Sequence, residues 1–188
     1  MRFDKEASLW DEKPRRVELG QKVANYIQKD CKDKSVLDFG CGTGLVSLNL
    51  QAKKILGVDL SCEMVNIFNQ KAQQLGINAK AICEDVNNVN SKFDVIVASM
   101  VFHHINEIEN MLDILYQKLN KNGKLFIADL IEEDGSFHDK GNDDVAYFGF
   151  NKQSFEHKKF KLINFCNIYT IQKHKKFDVY MWELQKVV

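Results

Sequence analysis

The stretch VLDFGCGTG, residues 36–44, sets an acid, Asp38, two positions ahead of three alternate glycines, Gly40, Gly42 and Gly44, with Cys41 between the first two. Glycines at that spacing after an apolar run let a ligand lie against the main chain, with the amides of the following segment facing it. The pattern is G-x-G-x-G and departs from the dinucleotide fingerprint G-x-G-x-x-G, because Leu45 stands where the last glycine would fall. Asp38 would repel phosphate oxygens, so the turn suits a nucleoside with a neutral or cationic attachment better than a diphosphate. Two further acids close later apolar runs. Asp59 comes about 20 residues after the first glycine, where a carboxylate accepts from both hydroxyls of a ribose, and Asp85 lies within reach of an exocyclic amine of the base. Each acid alone has a plainer use as a helix N-cap. Three at successive strand ends point to a ligand. His103 and His104 follow a fourth apolar run, where an imidazole can take a proton near neutrality or simply brace the loop.

Alternating helix and strand patterns must position these groups. Residues 15–30 carry a helical apolar stripe of Leu19, Val23, Tyr26 and Ile27, weakened near its start by Gly20. SVLDF reads as a buried strand, LVSLNLQAK as a helix after the glycines, and ILGVDL as a second strand. Residues 62–75 form a helical face closed by Gly76. AKAICED and FDVIVASM are the third and fourth strands; the fourth is apolar enough to be covered on both faces. Asn106 and Glu109 resemble a capping box opening a helix that Gly123 closes, and KLFIADLI is a fifth strand. This rhythm requires parallel strands with helices on both faces. After the loop EEDGSFHDKGNDD come a short helix over 151–160 and two strands, LINFCNIYTI and KFDVYMWELQKVV, close enough to pair antiparallel at the sheet edge. The expectation is one α/β domain over residues 1–188 with a mixed sheet.

Composition narrows the classes. Of 188 residues, 26 are Lys or Arg and 26 are Asp or Glu, so no net field favours nucleic acid or an anionic membrane. No apolar run is long enough to span a bilayer, and the charged start of the chain does not read as a secretory signal. The five cysteines are scattered and never form C-x-x-C, which argues against a disulfide framework or a zinc site and fits free thiols in a reducing cytoplasm. No set of metal ligands has convincing spacing.

In order and spacing, VLDFGCGTG, GVDLS, CEDV, FDVIVASMVFHHI and NGKLFIADL resemble the motif series of class I S-adenosylmethionine-dependent methyltransferases. They are similar in particular to the small-molecule branch that includes the ubiquinone and menaquinone biosynthesis methyltransferases. The resemblance implies a Rossmann-like, seven-stranded, mostly parallel sheet with an antiparallel C-terminal edge hairpin. It divides the chain into a helical lid (1–33), a cofactor-binding core (34–131) and an acceptor-side loop with edge strands (132–188). It implies that Gly40, Cys41, Gly42 and Gly44 pass under the ribose and methionine of S-adenosylmethionine, and that Asp38 holds the ammonium. Asp59 would take the ribose, Leu60 and Met64 the adenine faces, Asp85 and Val86 the adenine edge, and Ser99 and Met100 the methionine end. His103 and His104 would stand beside the methyl group. Trp10, Arg16, Tyr147 and Phe148 fall in the two segments that would cover an acceptor. The turn SMVFHH lacks the N/D-P-P-Y/F of nucleic-acid amino-methylating relatives, so the expected partner is a small organic acceptor. A cofactor binder without turnover, and a nicotinamide oxidoreductase, stand as the alternatives.

Overall fold

Five parallel strands form the centre of the sheet: β1 (Ser35–Phe39), β2 (Lys54–Asp59), β3 (Ala79–Cys83), β4 (Phe93–Ser99) and β5 (Leu119–Leu130). Two more, β6 (Phe160–Gln172) and β7 (Lys176–Lys186), complete it, with β7 pairing antiparallel to both β5 and β6. The spatial order is β3-β2-β1-β4-β5-β7-β6, so the chain reverses its direction of travel between β1 and β4. That is the seven-stranded mixed sheet expected from the sequence. The structure, a computed structural model, describes residues 2–138 and 144–187. Residues 139–143 of the Gly- and Asp-rich loop lie outside the described residues.

Alternation along the strands builds two cores. Val36, Val95, Val97, Phe126 and Ala128 face α2 (Pro14–Cys31) and α3 (Cys62–Leu75). Leu37, Ile96, Ala98, Leu125 and Ile127 face α4 (Ile108–Gln117). Beyond α4 that second face is covered by the long connection from β5 to β6. Its Phe150 and Phe155, fully buried, pack edge-on to Trp182 of β7. The helix over 62–75 forms as expected: Ser61 caps it through Met64 N at 3.4 Å, and Gly76 ends it in the left-handed region at φ 64°. The N-terminal segment adds α1 (Arg2–Glu6) and a 3-10 turn over Ala7–Glu12, and Pro14 opens α2 at its first position. Among the described residues no helix is long and apolar enough to cross a membrane.

Five local expectations fail, each for a physical reason. LVSLNLQAK holds only a 3-10 turn at Ser47–Asn49. The Asn49 side chain donates to Leu45 O at 2.8 Å, taking the acceptor that an α-helix would give to the Asn49 backbone. The capping box is absent: α4 begins one residue later than expected, with Glu107 at the N-cap position and no side-chain cap, so Asn106 and Glu109 are not in capping register. Gly123 does not close α4 but lies inside β5, where a Cβ would sit 3.1 Å from Asp94 O. Residues 151–159 make turns, because the Asn151 and Ser154 side chains bond the local backbone. Finally, Cys62 and Cys83 are disulfide-bonded. The start of α3 and the end of β3 are neighbours in space although 21 residues apart, so scattered spacing hid the pair. This removes the free-thiol argument for two of the five cysteines, and with it part of the case for a reducing cytoplasm.

Gly20 has a role that helix propensity does not register. A Cβ there would lie 2.6 Å from Leu45 O, because α2 rests directly on the loop that follows the glycine turn. Propensity alone predicts that Gly20→Ala stabilises α2 by about 1 kcal/mol. The close approach predicts the opposite sign, a loss of roughly 1–3 kcal/mol through overpacking. Urea unfolding of the two proteins decides between them.

Candidate active site

A cavity of about 790 Å³ opens at the carboxyl ends of the strands, around the point where the strand order reverses. The glycine turn forms its floor. Gly40, Gly42 and Gly44 all have positive φ (70°, 51° and 85°), a conformation that side-chain-bearing residues rarely adopt. Gly40 and Cys41 donate to Val58 O at 2.9 and 3.1 Å, which draws the turn across the end of β2. At Gly42 a Cβ would project into the cavity, meeting only Trp10 Nε1 at 4.0 Å. Main chain is therefore exposed to a ligand at that point. Gly44 does not line the cavity; its missing Cβ makes room for Leu48 and Phe68 beneath the turn.

Asp59, at the end of β2, accepts from Gly42 N through Oδ2 (2.8 Å) and from Ser61 N through Oδ1 (2.9 Å). Burial raises its pKa, opposed by these backbone donors. Each oxygen keeps a further lone pair for a ligand hydroxyl. Asp38, one strand over, is buried, and its Oδ2 has no hydrogen-bond partner. Burial pushes its carboxyl up to about 7, opposed by hydrogen bonds from Ser47 and reinforced by the neighbouring charge of Asp59. A buried carboxylate oxygen left without a donor, beside a second acid, fits a cationic group such as an ammonium. Asp85 lines the same cavity while its Oδ1 accepts from Asn87 N and Nδ2, both at 2.8 Å. Leu60, Met64, Val86, Ser99 and Met100 line it as well.

The far end carries imidazoles. His103, in the 3-10 turn Phe102–His104 after β4, is buried, and its Nδ1 lies 2.8 Å from Asp129 Oδ1. Asp129, at the end of β5 and wholly buried, also accepts from the His103 backbone N (3.3 Å) and Leu130 N (2.8 Å). His104 Nδ1 lies 2.5 Å from the Asp144 carbonyl. His138, 34 residues further along the chain than His104, lines the same end of the cavity. Its ring centroid is 5.3 Å from that of His103. Burial lowers the pKa of His104 and takes His138 down to about 4, with the neighbouring imidazoles adding to both shifts. The expectation of no metal-ligand cluster is therefore corrected: one ligand atom from each of the three histidines lies within 4.8 Å of the others. His138 gave no sequence signal, because nothing local relates it to the His103–His104 pair.

The N-terminal segment roofs the cavity. The Arg16 guanidinium stacks on the Trp10 ring at 3.4 Å and donates to Glu6 at 3.3 Å. Both Trp10 and Arg16 line the cavity. Tyr147 and Phe148, expected there, lie outside it. Tyr147 is tied to the Asn106 carbonyl and Phe148 rests against Gly135.

The family model for a methyltransferase domain matches residues 12–177. An uncharacterised methyltransferase of Schizosaccharomyces pombe is 37% identical over 143 residues, 68% of this chain and 49% of that protein. A ubiquinone biosynthesis O-methyltransferase of Pelagibacter ubique is 32% identical over 106 residues, 54% of this chain and 44% of the relative. The chain thus spans about half the length of the curated relatives it matches. The fold is shared with an S-adenosylmethionine-dependent methyltransferase from Clostridium acetobutylicum, with TM-score 0.71, 16% identity and full coverage of both chains. The strand order, the glycine turn under a cavity and the extent of the family match agree: the chain belongs to the class I S-adenosylmethionine-dependent methyltransferases.

Proposed function

We propose that the chain transfers a methyl group to a small organic acceptor. The observation that carries this reading is the Asp38 Oδ2 atom, buried without a hydrogen-bond partner, beside the bare Gly42 backbone in one cavity. When bound, S-adenosylmethionine supplies an electrophilic sulfonium methyl. The chain's own work is then to grip, align and keep the site dry. Asp38 accepts from the ammonium, Asp59 from the ribose hydroxyls, and Asp85 with the Val86 amide meets the adenine edge. Leu60 and Met64 pack on its faces, and Ser99 and Met100 lie along the methionine portion. Trp10 and Arg16 form the roof that excludes water. Asp129 fixes the His103 ring with Nδ1 inward, which leaves Nε2 to take the acceptor's proton. A roofed cavity and the absence of net charge support a small acceptor over a nucleic acid.

Incubation with labelled S-adenosylmethionine and a metabolite extract tests turnover. Label in a small organic product is the expected result, and cofactor binding without any labelled product would leave a binder. Asp59→Ala is expected to weaken cofactor binding by roughly 10–100-fold, the loss of about 1.4–3 kcal/mol of hydrogen bonding; titration calorimetry measures it. His103→Ala is expected to slow turnover while leaving cofactor affinity unchanged, which single-turnover rates and calorimetry read separately.

Asp38 sets a pH dependence whose sign follows from its raised pKa. Above about 7 the free carboxyl is ionised and attracts an ammonium; below it, a proton must leave before the cation binds. Affinity for S-adenosylmethionine is expected to fall by roughly tenfold per pH unit as pH drops below that value. In Asp38→Asn the profile flattens and binding is weak throughout. Calorimetry from acid to mildly alkaline pH checks both, and a flat wild-type profile removes Asp38 from the ammonium site.

A further inference from the structure

We propose that His103, His104 and His138 form a site for a first-row transition-metal ion, with Zn²⁺ the leading candidate, whose open coordination position faces the cavity. Three observations carry it. The first is convergence: one ligand atom from each ring lies within 4.8 Å of the others. A tetrahedral ion with metal–nitrogen bonds of about 2.0–2.1 Å needs these nitrogens roughly 3.3 Å apart, so the three must draw closer when the ion binds.

The second is what stands behind the rings. Metal-binding histidines characteristically hand their other nitrogen to a carboxylate or a backbone carbonyl, which fixes the ring and its tautomer. His103 Nδ1 meets Asp129 Oδ1 at 2.8 Å, and His104 Nδ1 meets the Asp144 carbonyl at 2.5 Å. In both rings this commits the proton to Nδ1 and leaves Nε2 as the ligand atom. The third is His138, whose Nδ1 is buried and has no hydrogen-bond partner. A buried ring nitrogen without a partner is costly unless something is meant to meet it.

The donor set selects the ion. Three neutral imidazoles suit Zn²⁺, Co²⁺, Ni²⁺ or Fe²⁺, whereas Mg²⁺ and Ca²⁺ require oxygen ligands. Since all three histidines line the cavity, the fourth position is open to an acceptor hydroxyl. Bound there, the hydroxyl loses its proton to solvent at lower pH. The new oxygen–carbon bond then forms as the carbon–sulfur bond breaks, and that bond's electron pair stays on sulfur. With the ion present, His103 Nε2 holds metal, and activation of the acceptor passes from the imidazole to the ion. Only this catalytic consequence rests on the methyl-transfer reading; the site itself rests on the histidines.

The test uses the full chain, stripped with a chelator and titrated with Zn²⁺ and with Co²⁺, followed by calorimetry and by the visible absorption of bound Co²⁺. About one equivalent is expected, with an intense tetrahedral Co²⁺ band. His138→Ala is expected to lower affinity at least 100-fold. Asp129→Asn, which keeps every ligand but loses the carboxylate behind His103, is expected to lower it about 10–100-fold. S-adenosylhomocysteine titrated into the same samples reports independently on the cofactor end and on folding. Metal uptake equal in wild type and His138→Ala, or no uptake by a wild type that binds S-adenosylhomocysteine, overturns the site. Metal uptake without S-adenosylhomocysteine binding supports the metal site and overturns the methyl-transfer reading alone.

Discussion

The carboxylate of Asp59 joins two pieces of backbone that must keep one geometry. Oδ2 receives Gly42 N and Oδ1 receives Ser61 N, so the glycine turn and the entrance to α3 are held by a single side chain. Hydrogen bonds to a charged acceptor contribute about 1.5–3 kcal/mol each, against the cost of burying the charge. The same contact fixes the relation between Asp59 and Asp38. One acid is satisfied by the protein, while the other keeps an oxygen without a partner and a pKa near neutrality. Two adjacent buried carboxylates resist ionising together. A ligand that brings a positive charge relieves that resistance, so the pair favours a cation over a neutral or anionic occupant.

The roof is held differently from the floor. Asp4 bonds Ser61 Oγ at 2.6 Å, Asp11 bonds Thr43 Oγ1 and Lys71 at 2.6 and 2.8 Å, and Arg2 pairs with Asp144 at 3.1 Å. Ser61 and Thr43 are the buried ends of two of these links, while the exposed ion pairs contribute about 0–1 kcal/mol each. The five-residue α1 has no buried residue. Such an element opens at far lower cost than any strand beneath it, which a roofed cavity requires if ligands are to enter and leave. Through Asp144 the roof also reaches the histidines, because Arg2 holds the side chain of the residue whose carbonyl meets His104.

Sequence periodicity read the sheet well because burial on both faces leaves long apolar runs, and it read α3 well because Ser61 and Gly76 mark both ends of one amphipathic stripe. It failed where a side chain competes with the backbone, as Asn49 does at Leu45 O, and where a glycine serves a close approach, as Gly123 does inside β5. In the site, the strand-end acids and glycines were legible because each sits in a short motif next to an apolar run. Gly44 followed the same motif and proved to serve packing. Tyr147 and Phe148 were nominated by aromatic character alone, and the loop turns them elsewhere. Cys62–Cys83 and His138 share one difficulty: their partners lie on other elements, and only the crossing of those elements brings them together.

The cavity is divided along the sheet. Asp38, Asp59 and Asp85 stand at the ends of β1, β2 and β3, on one side of the point where strand order reverses. His103, His104 and Asp129 stand at the ends of β4 and β5, on the other. Placing acids throughout would bind a cation and leave no neutral nitrogen ligand for a transition-metal ion. Placing imidazoles throughout would leave the cation without a counter-charge. Asp129 is the acid that breaks this division, and its surroundings explain why it does not act as a second cation site. Both its oxygens are turned to His103 and the local backbone, and none of its surface is exposed. Its charge is therefore spent on holding one imidazole in one orientation, and the cavity meets that charge only through the ring of His103.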